Sequence, residues 1–445
     1  MRAECADWSV PLNHENPDGE RISVTVTRLA STAPEPAEDA FVLINGGPGG
    51  SSIDMLVDFG GIGHSFTRER DVIVIDQRGT GRSSKLTCAS VTDTTEVPDE
   101  YEVLAMTEEC LAELPHDPRY FTTTSAVDDL EKLRQALGYE QLSLYGVSYG
   151  TRVVMQYMRT YPEQARVAVI DGVVPPTQAL GELIAIHSQN VLEQTFERCT
   201  SNQDCAKAFP DLERNFISVR ERLKAESIDL RLNHPVTGEP TDLALNYNHM
   251  ALWLRLSLYG PEAAALIPVA LKQAADGNYL PIAANALRIA TDLNEALSYG
   301  MHNAVMCTED TPFYDEQNID REAMAASYLG AEMYDMLKQM CSAWPAGVRD
   351  EAIKDPLESD IPTLVLSGEF DPITPPAWGE AVLLGLTNAR HIVAPGQGHG
   401  VLPRGCMPTL VREFVETADA EGLDTTCVEF LHPHPFFINS MGPPP

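Results

Sequence analysis

Over its first part the chain alternates short apolar runs with helical repeats. This constrains the fold more than any other feature, because strands laid parallel need a crossover between them. Ile22, Val24 and Val26 alternate as in a half-buried strand spanning Arg21 to Leu29, while Phe41 to Ile44 and Val72 to Ile75 are continuous apolar runs of the fully buried kind. Ser125 reads as the N-cap of a helix with Asp128 three residues on; Val127, Leu130, Leu133 and Leu137 form its apolar face and Gly138 stops it. A strand at Leu142 to Tyr145, a helix from Thr151 to Tyr161 stopped by Pro162, and a strand at Val167 to Ile170 continue the pattern. The expected fold class is α/β with a mostly parallel sheet.

From about Pro175 the pattern changes. Leu180 to Arg198, Leu212 to Ala225, Met250 to Tyr259, Ala263 to Ala275 and Met324 to Met340 read as helices, with no convincing buried strand among them. Strand character returns at Thr363 to Leu366 and His391 to Val393. A chain of 445 residues also exceeds the size at which single cores stop growing. The expected organisation is a sheet core made of residues 1–176 and 356–445, with residues 177–355 inserted as an α-helical cap. The proline-rich end (Pro433, Pro435, Pro443 to Pro445) reads as an extended terminal segment.

Gly146-Val147-Ser148-Tyr149-Gly150 lies between a strand and a helix, the context in which Gly-x-Ser-x-Gly holds a serine in a sharp, exposed turn. Such a serine needs a base, supplied late in the chain and after an acid at the end of a strand. His399, in Gly396-Gln397-Gly398-His399-Gly400, and Asp371, in Gly368-Glu369-Phe370-Asp371-Pro372, satisfy that order; Glu369 and Asp171 also follow strands and compete for the acid's place. Thr374-Pro375 reads as an N-cap followed by a first-turn proline. Asn45-Gly46-Gly47-Pro48-Gly49-Gly50 follows the strand Phe41 to Ile44, so the amides of Gly47 and Tyr149 are the expected oxyanion donors. The loop lacks the Lys-Ser/Thr of a phosphate-binding loop, and Pro48 removes one donor.

The 31 basic and 65 acidic side chains leave a net charge of −34, which opposes nucleic acid and anionic lipid as partners. The bland source of this excess is a solvated acidic surface. No apolar run is long enough to span a membrane. The nine cysteines show no metal-ligand spacing. Their sequence-close pairs 88/110, 199/205, 307/341 and 406/427 suggest four local disulfides and an oxidising compartment, with Cys5 left over. Arg2 and Glu4 follow Met1 with no apolar segment, so any export signal is expected to have been removed or never present.

Gly46-Gly47-Pro48-Gly49, Asp76-Gln77-Arg78-Gly79-Thr80-Gly81-Arg82-Ser83, Gly146 to Gly150, Asp371-Pro372-Ile373-Thr374-Pro375 and Gly398-His399-Gly400 extend over nearly the whole chain. So do Cys5-Ala6 with Val10-Pro11-Leu12, Cys341-Ser342-Ala343-Trp344-Pro345, and Cys406. In these motifs the chain resembles the proline iminopeptidase and tripeptidyl aminopeptidase branch of the α/β-hydrolases, especially its secreted bacterial members. The resemblance implies an α/β-hydrolase core with a cap, no cofactor, and a secreted or periplasmic location. It departs from the usual pattern at Asn45, where the glycine loop commonly begins with histidine, and in lacking the upstream partner of Cys5, which suggests a trimmed N-terminus.

The resemblance also implies an acyl-enzyme mechanism acting on a small peptide or ester. Release of prolyl residues or tripeptides from a free N-terminus is the first expectation, and a carboxylesterase with the same three residues is the alternative. A noncatalytic binding module is disfavoured, since nucleophile, base, acid and oxyanion loop are all present. An exopeptidase must hold its substrate's ammonium with carboxylates, because an unpaired buried cation is expensive. Glu309 and Asp310, just after Cys307, are the candidates, set against the alternative of two solvated acids.

Overall fold

The computed structural model describes residues 3–88 and 100–443. In chain order the strands are β1 (Ala3–Pro11), β2 (Arg21–Leu29), β3 (Ala40–Ile44), β4 (Asp71–Ile75), β5 (Leu142–Val147), β6 (Ala165–Asp171), β7 (Ile228–Asn233), β8 (Pro240–Leu245), β9 (Thr363–Gly368) and β10 (Ala389–Ala394). Eight of them form one sheet in the order β1-β2-β4-β3-β5-β6-β9-β10. β1 and β4 both pair antiparallel with β2, and every other pairing in the sheet is parallel.

Alternate residues of β3 serve opposite faces. Val42 and Ile44 join one core cluster with Leu144 and Ile170, while Phe41 and Leu43 join another with Tyr145 and Leu366. With both faces covered, the central strands carry continuous apolar runs. The parallel strands β3, β5, β6, β9 and β10 all end at the same edge, where Asp171 closes β6 and Asn45, Ser148, Asp371 and His399 follow the others. Sites in open α/β sheets form at that edge.

Some boundaries differ from expectation. Thr122, rather than Ser125, stands at the N-cap of the helix Thr123–Leu137, and Ser125 lies buried inside its first turn; Gly138 caps the other end at φ 79°. β1 was not legible because most of its residues are exposed along a sheet edge. Helix Leu280–Ala296 was also not anticipated. The expected helix Met324 to Met340 is split into Arg321–Ala326 and Glu332–Ala343, with Gly330 at φ 66° between them.

The stretch 177–355 is helical apart from the antiparallel hairpin β7–β8, and it has its own core around Leu192, Phe216, Trp253, Leu254, Leu271 and Ile282. Phe436, from the terminal segment, joins this core under the Arg198 guanidinium, 4.4 Å from its ring centroid. The proline-rich end is thus docked as far as it is described; Pro444 and Pro445 lie outside the described residues. Cys88–Cys110, Cys199–Cys205, Cys307–Cys341 and Cys406–Cys427 are disulfide-bonded, and Cys5 is free. Among the described residues no helix is long and apolar enough to cross a membrane.

Candidate active site

β5 runs straight into Ser148, and the helix Tyr149–Thr160 begins at the next residue. Ser148 has φ 57° and ψ −129°, a conformation that costs a non-glycine residue about 1–3 kcal/mol. Its N–H donates to the Asp171 carbonyl at 2.9 Å, and Thr151 Oγ1 donates to its carbonyl at 2.6 Å. The flanking glycines are required by close approach: a β-carbon on Gly146 would lie 2.3 Å from the Gly150 carbonyl oxygen, and one on Gly150 2.5 Å from that of Ile44. The helix begins two residues earlier than expected, which places the Tyr149 N–H in the first turn, without an intrahelical acceptor.

The glycine loop lies directly against this turn, since a β-carbon on Gly46 would sit 2.6 Å from Ser148 Cβ and 3.1 Å from the Tyr149 nitrogen. Its amides are not equivalent. The Gly46 N–H donates to Asn45 Oδ1 at 2.7 Å, the Gly50 N–H donates to the Gly46 carbonyl at 3.0 Å, and Pro48 has no donor. The Gly47 N–H has no protein acceptor among the described residues. Asn45 Nδ2 donates to the Ser51 carbonyl at 2.8 Å, so this side chain braces the loop. The Asp76 motif supports the same loop from behind: Asp76 accepts from Ser51 Oγ at 2.9 Å and from the Ile53 N–H at 3.1 Å. Buried Arg78 grips Asp129 with two bonds of 2.7 Å.

His399 Nδ1 is 2.8 Å from Asp371 Oδ2. The other Asp371 oxygen accepts the N–H groups of Ile373 (2.9 Å) and Thr374 (2.8 Å), and Thr374 Oγ1 donates to Oδ2 at 2.7 Å. Thr374 therefore serves the acid; Pro375 takes the N-cap position of the helix Pro376–Val382 that was expected of Thr374. Burial opposes charge on both partners, but their mutual attraction and hydrogen bond win: Asp371 is held below the ordinary carboxylate range and His399 above the ordinary histidine value of 6.5. The histidine loop lies against the serine turn, with Gly400 beside Val147 and Gly172 beside the imidazole.

The competing acids hold loops. Asp171 accepts from the N–H groups of Val401 and Leu402 at 2.9 Å and from the Tyr145 hydroxyl at 2.9 Å, while Glu369 accepts the Gly396 N–H at 2.7 Å.

Glu309 and Asp310 are neither solvated nor open to a substrate amine; both are fully buried and already engaged. Arg152 Nη1 donates to both Asp310 oxygens at 2.8 Å, Lys354 Nζ to one at 2.8 Å, and the Leu180 N–H at 2.9 Å. Burial raises the Asp310 pKa, yet these cations bring it below the ordinary range. Glu309, pushed upward chiefly by burial, accepts from Thr123 N–H at 2.7 Å and Thr123 Oγ1 at 2.6 Å. Thr123 Oγ1 in turn meets the Tyr149 hydroxyl at 2.6 Å. The two acids thus pin the helix that follows Ser148, an engagement that competes with the ammonium-holding role expected of them.

Sequence reasoning missed the groups that the helical stretch contributes. The Tyr259 carbonyl accepts the His399 N–H at 2.9 Å, and its ring meets the imidazole edge-on at 5.0 Å between centroids. The Ser298 N–H donates to the Gly49 carbonyl at 3.0 Å, and His302 Nδ1 is 3.1 Å from the Pro48 carbonyl. Gly49, at φ 102°, has no room for a side chain there: a β-carbon would lie 2.8 Å from the Ser298 carbonyl oxygen. No sequence signal marks these partners, which lie far from the loops they hold.

The α/β-hydrolase fold family matches residues 39–254, and the family described as TAP-like protein matches residues 326–427. Serine protease Hip1 of Mycobacterium tuberculosis is 24% identical over 417 residues, 84% of this chain and 77% of the relative. The tripeptidyl aminopeptidase of Streptomyces lividans is 26% identical over 39% of this chain and 36% of its own length. The proline iminopeptidase of Xylella fastidiosa is 30% identical over 30% of this chain and 31% of its own. The crystal structure of proline iminopeptidase from Mycobacterium smegmatis aligns with a TM-score of 0.45 at 15% identity, covering 93% of this chain and 99% of that one. With two family matches that together span well over half of its length and a sheet that ends at Ser148, Asp371 and His399, the chain belongs to the α/β-hydrolases, and its residues 326–427 are similar to the TAP-like family.

Proposed function

We propose that this hydrolase is an aminopeptidase that releases prolyl residues or tripeptides through an acyl-enzyme, with Ser148 as nucleophile. His399 Nε2 takes the Ser148 hydroxyl proton as Oγ attacks the scissile carbonyl, and it returns that proton to the leaving amine. Asp371 keeps Nδ1 protonated and stabilises the imidazolium. The N–H groups of Gly47 and Tyr149 receive the oxyanion. Water then attacks the ester with the same assistance, giving the free acid and restoring Ser148.

The observation that carries this reading is the 2.8 Å His399–Asp371 bond set against a strained serine turn whose neighbouring amides are free. Peptide substrates are supported by the names of the relatives, which are a serine protease, a tripeptidyl aminopeptidase and a proline iminopeptidase. The carboxylesterase reading gains support from one observation, the internal engagement of Glu309 and Asp310. Four disulfides support export to an oxidising compartment.

The deciding experiment compares prolyl, alanyl-alanyl-prolyl and short-acyl ester chromogenic substrates, with each peptide also N-acetylated. The aminopeptidase reading predicts turnover of a free-amine peptide and its loss on acetylation. Equal cleavage of free and blocked peptides, or turnover of esters alone, overturns it in favour of the esterase.

A further inference from the structure

Arg255 lies in the last turn of the helix Tyr247–Ser257, one turn before Tyr259, and is only partly exposed. Its Nη1 meets the Met333 thioether at 3.4 Å, and its buried Nε has no partner. Among the described residues no carboxylate lies within ion-pair distance of it. Arg349 and Arg390 also lack a carboxylate partner, but each donates to backbone carbonyl oxygens instead. Other buried guanidiniums are matched: Arg78 by Asp129 and Arg152 by Asp310. Arg198, also unpaired at two nitrogens, lies over the rings of Phe370 and Phe436 and feels the charge of Glu369.

The position of Arg255 gives the vacancy meaning. Its charge and a side-chain hydrogen bond reach the phenol of Tyr259, whose ring and carbonyl both touch His399, and its charge bears on His302, which holds the glycine loop through Pro48. It bears as well on the phenols of Tyr299 and Tyr328. The guanidinium therefore stands in the cap one turn from Tyr259, the residue whose carbonyl and ring meet His399. A cation drawn partly out of water and left without a counter-ion is costly, and that cost is recovered when an anion docks on it. Guanidinium matches a carboxylate through two parallel N–H donors, and Nε is one of the donors that such a fork uses.

We infer that Arg255 is a specificity-determining residue that binds a carboxylate of the substrate near the scissile bond, whether the C-terminal carboxylate of a short peptide, an acidic side chain or the free acid of an acyl chain. This deepens the proposed function and rests on its Ser148 chemistry, but it does not depend on the choice between peptide and ester. It also gives a protein of net charge −34 a local means of accepting an anionic substrate.

The test uses three matched substrate pairs on the intact protein. One is a short prolyl-containing peptide with a free or an amidated C-terminus. The second is a tripeptide p-nitroanilide carrying glutamate or glutamine. The third is an ester pair, mono-p-nitrophenyl glutarate and p-nitrophenyl valerate. The wild type is expected to prefer the charged member of at least one pair by about ten- to a hundredfold in kcat/KM, expressed mainly in KM. Arg255→Met should bring that ratio close to one, and Arg255→Lys should retain part of it. A preference in the first pair assigns the terminal carboxylate, and one in the second assigns the side chain. A pattern confined to the esters overturns the aminopeptidase reading and leaves the Arg255 assignment standing. The assignment is overturned if the wild type favours no charged member, or if Arg255→Met keeps the wild-type ratio. A variant that is slower on both members without a change of ratio counts against it in the same way, since lost packing acts on both alike.

Discussion

Asp371 at the sheet edge and Asp310 under the helical stretch are almost equally deep, at 1% and 0% exposure, yet they keep different company. Asp310 is fixed between Arg152 and Lys354. Asp371 faces His399, whose charge comes and goes with a proton, and is held in place by two backbone N–H groups and Thr374. Burial alone therefore does not mark a functional acid. What separates the two is the partner: Asp310 is gripped by the Arg152 guanidinium, which never loses its charge, with Lys354, lowered by burial to about 8, beside it, whereas Asp371 faces an imidazole alone.

The sharpest way to break this comparison is mutation at the sheet edge. Ser148→Ala or His399→Ala should lower turnover on the order of 10⁴- to 10⁶-fold while thermal unfolding stays close to wild type. Asp371→Asn should cost on the order of 10⁴-fold in kcat, because the amide favours the wrong imidazole tautomer. Glu369→Gln should cost far less, since Glu369 meets the Gly396 N–H and not the histidine. A larger loss at Glu369 would move the acid assignment there.

The opposite signature is expected from Asp310→Asn. It leaves Arg152 and Lys354 buried without their counter-charge, so stability measured by denaturant unfolding should fall by about 3–5 kcal/mol. Whatever folds should show no selective loss for free-amine over N-acetylated peptides. A selective loss at unchanged stability would restore the ammonium-holding role.

The pH profile sharpens the same contrast. His399 is raised above 6.5 chiefly by Asp371, against the pull of burial. The base must be neutral to act, so kcat/KM should rise with pH through an apparent pKa above 6.5 and level off once the imidazolium has lost its proton. Asp371→Asn removes the attraction that raises it, so the residual activity should titrate at lower pH than the wild type. A wild-type limb at or below 6.5, or one that does not move in Asp371→Asn, contradicts the coupling.

The smallest effect concerns the cysteines: mapping without reduction should recover 88/110, 199/205, 307/341 and 406/427, with one free thiol at Cys5.

What was legible in the sequence follows from the range of the interactions. Buried parallel strands announce themselves as apolar runs, and the residues that follow them (Gly47, Ser148, Asp371, His399) sit in local glycine-rich turns whose geometry a short motif encodes. Thr374 was misassigned because a threonine before prolines looks like a cap, while its hydroxyl is drawn to the Asp371 carboxylate instead. Glu309 and Asp310 were visible as acids, but their partners Thr123 and Arg152 lie 186 and 158 residues away, so their engagement had no local trace. The same distance hid Tyr259, Ser298 and His302. β1 and the hairpin β7–β8 carry exposed residues along much of their length, which removes the apolar pattern by which a strand is recognised.

The most direct test of the central claim is covalent labelling with a neutral serine-directed phosphonate, read by peptide mass mapping. One adduct per chain is expected, on Ser148, forming rapidly in the wild type and slower by several orders of magnitude in folded His399→Ala. An adduct on another residue, or equal labelling rates in the two proteins, would contradict it.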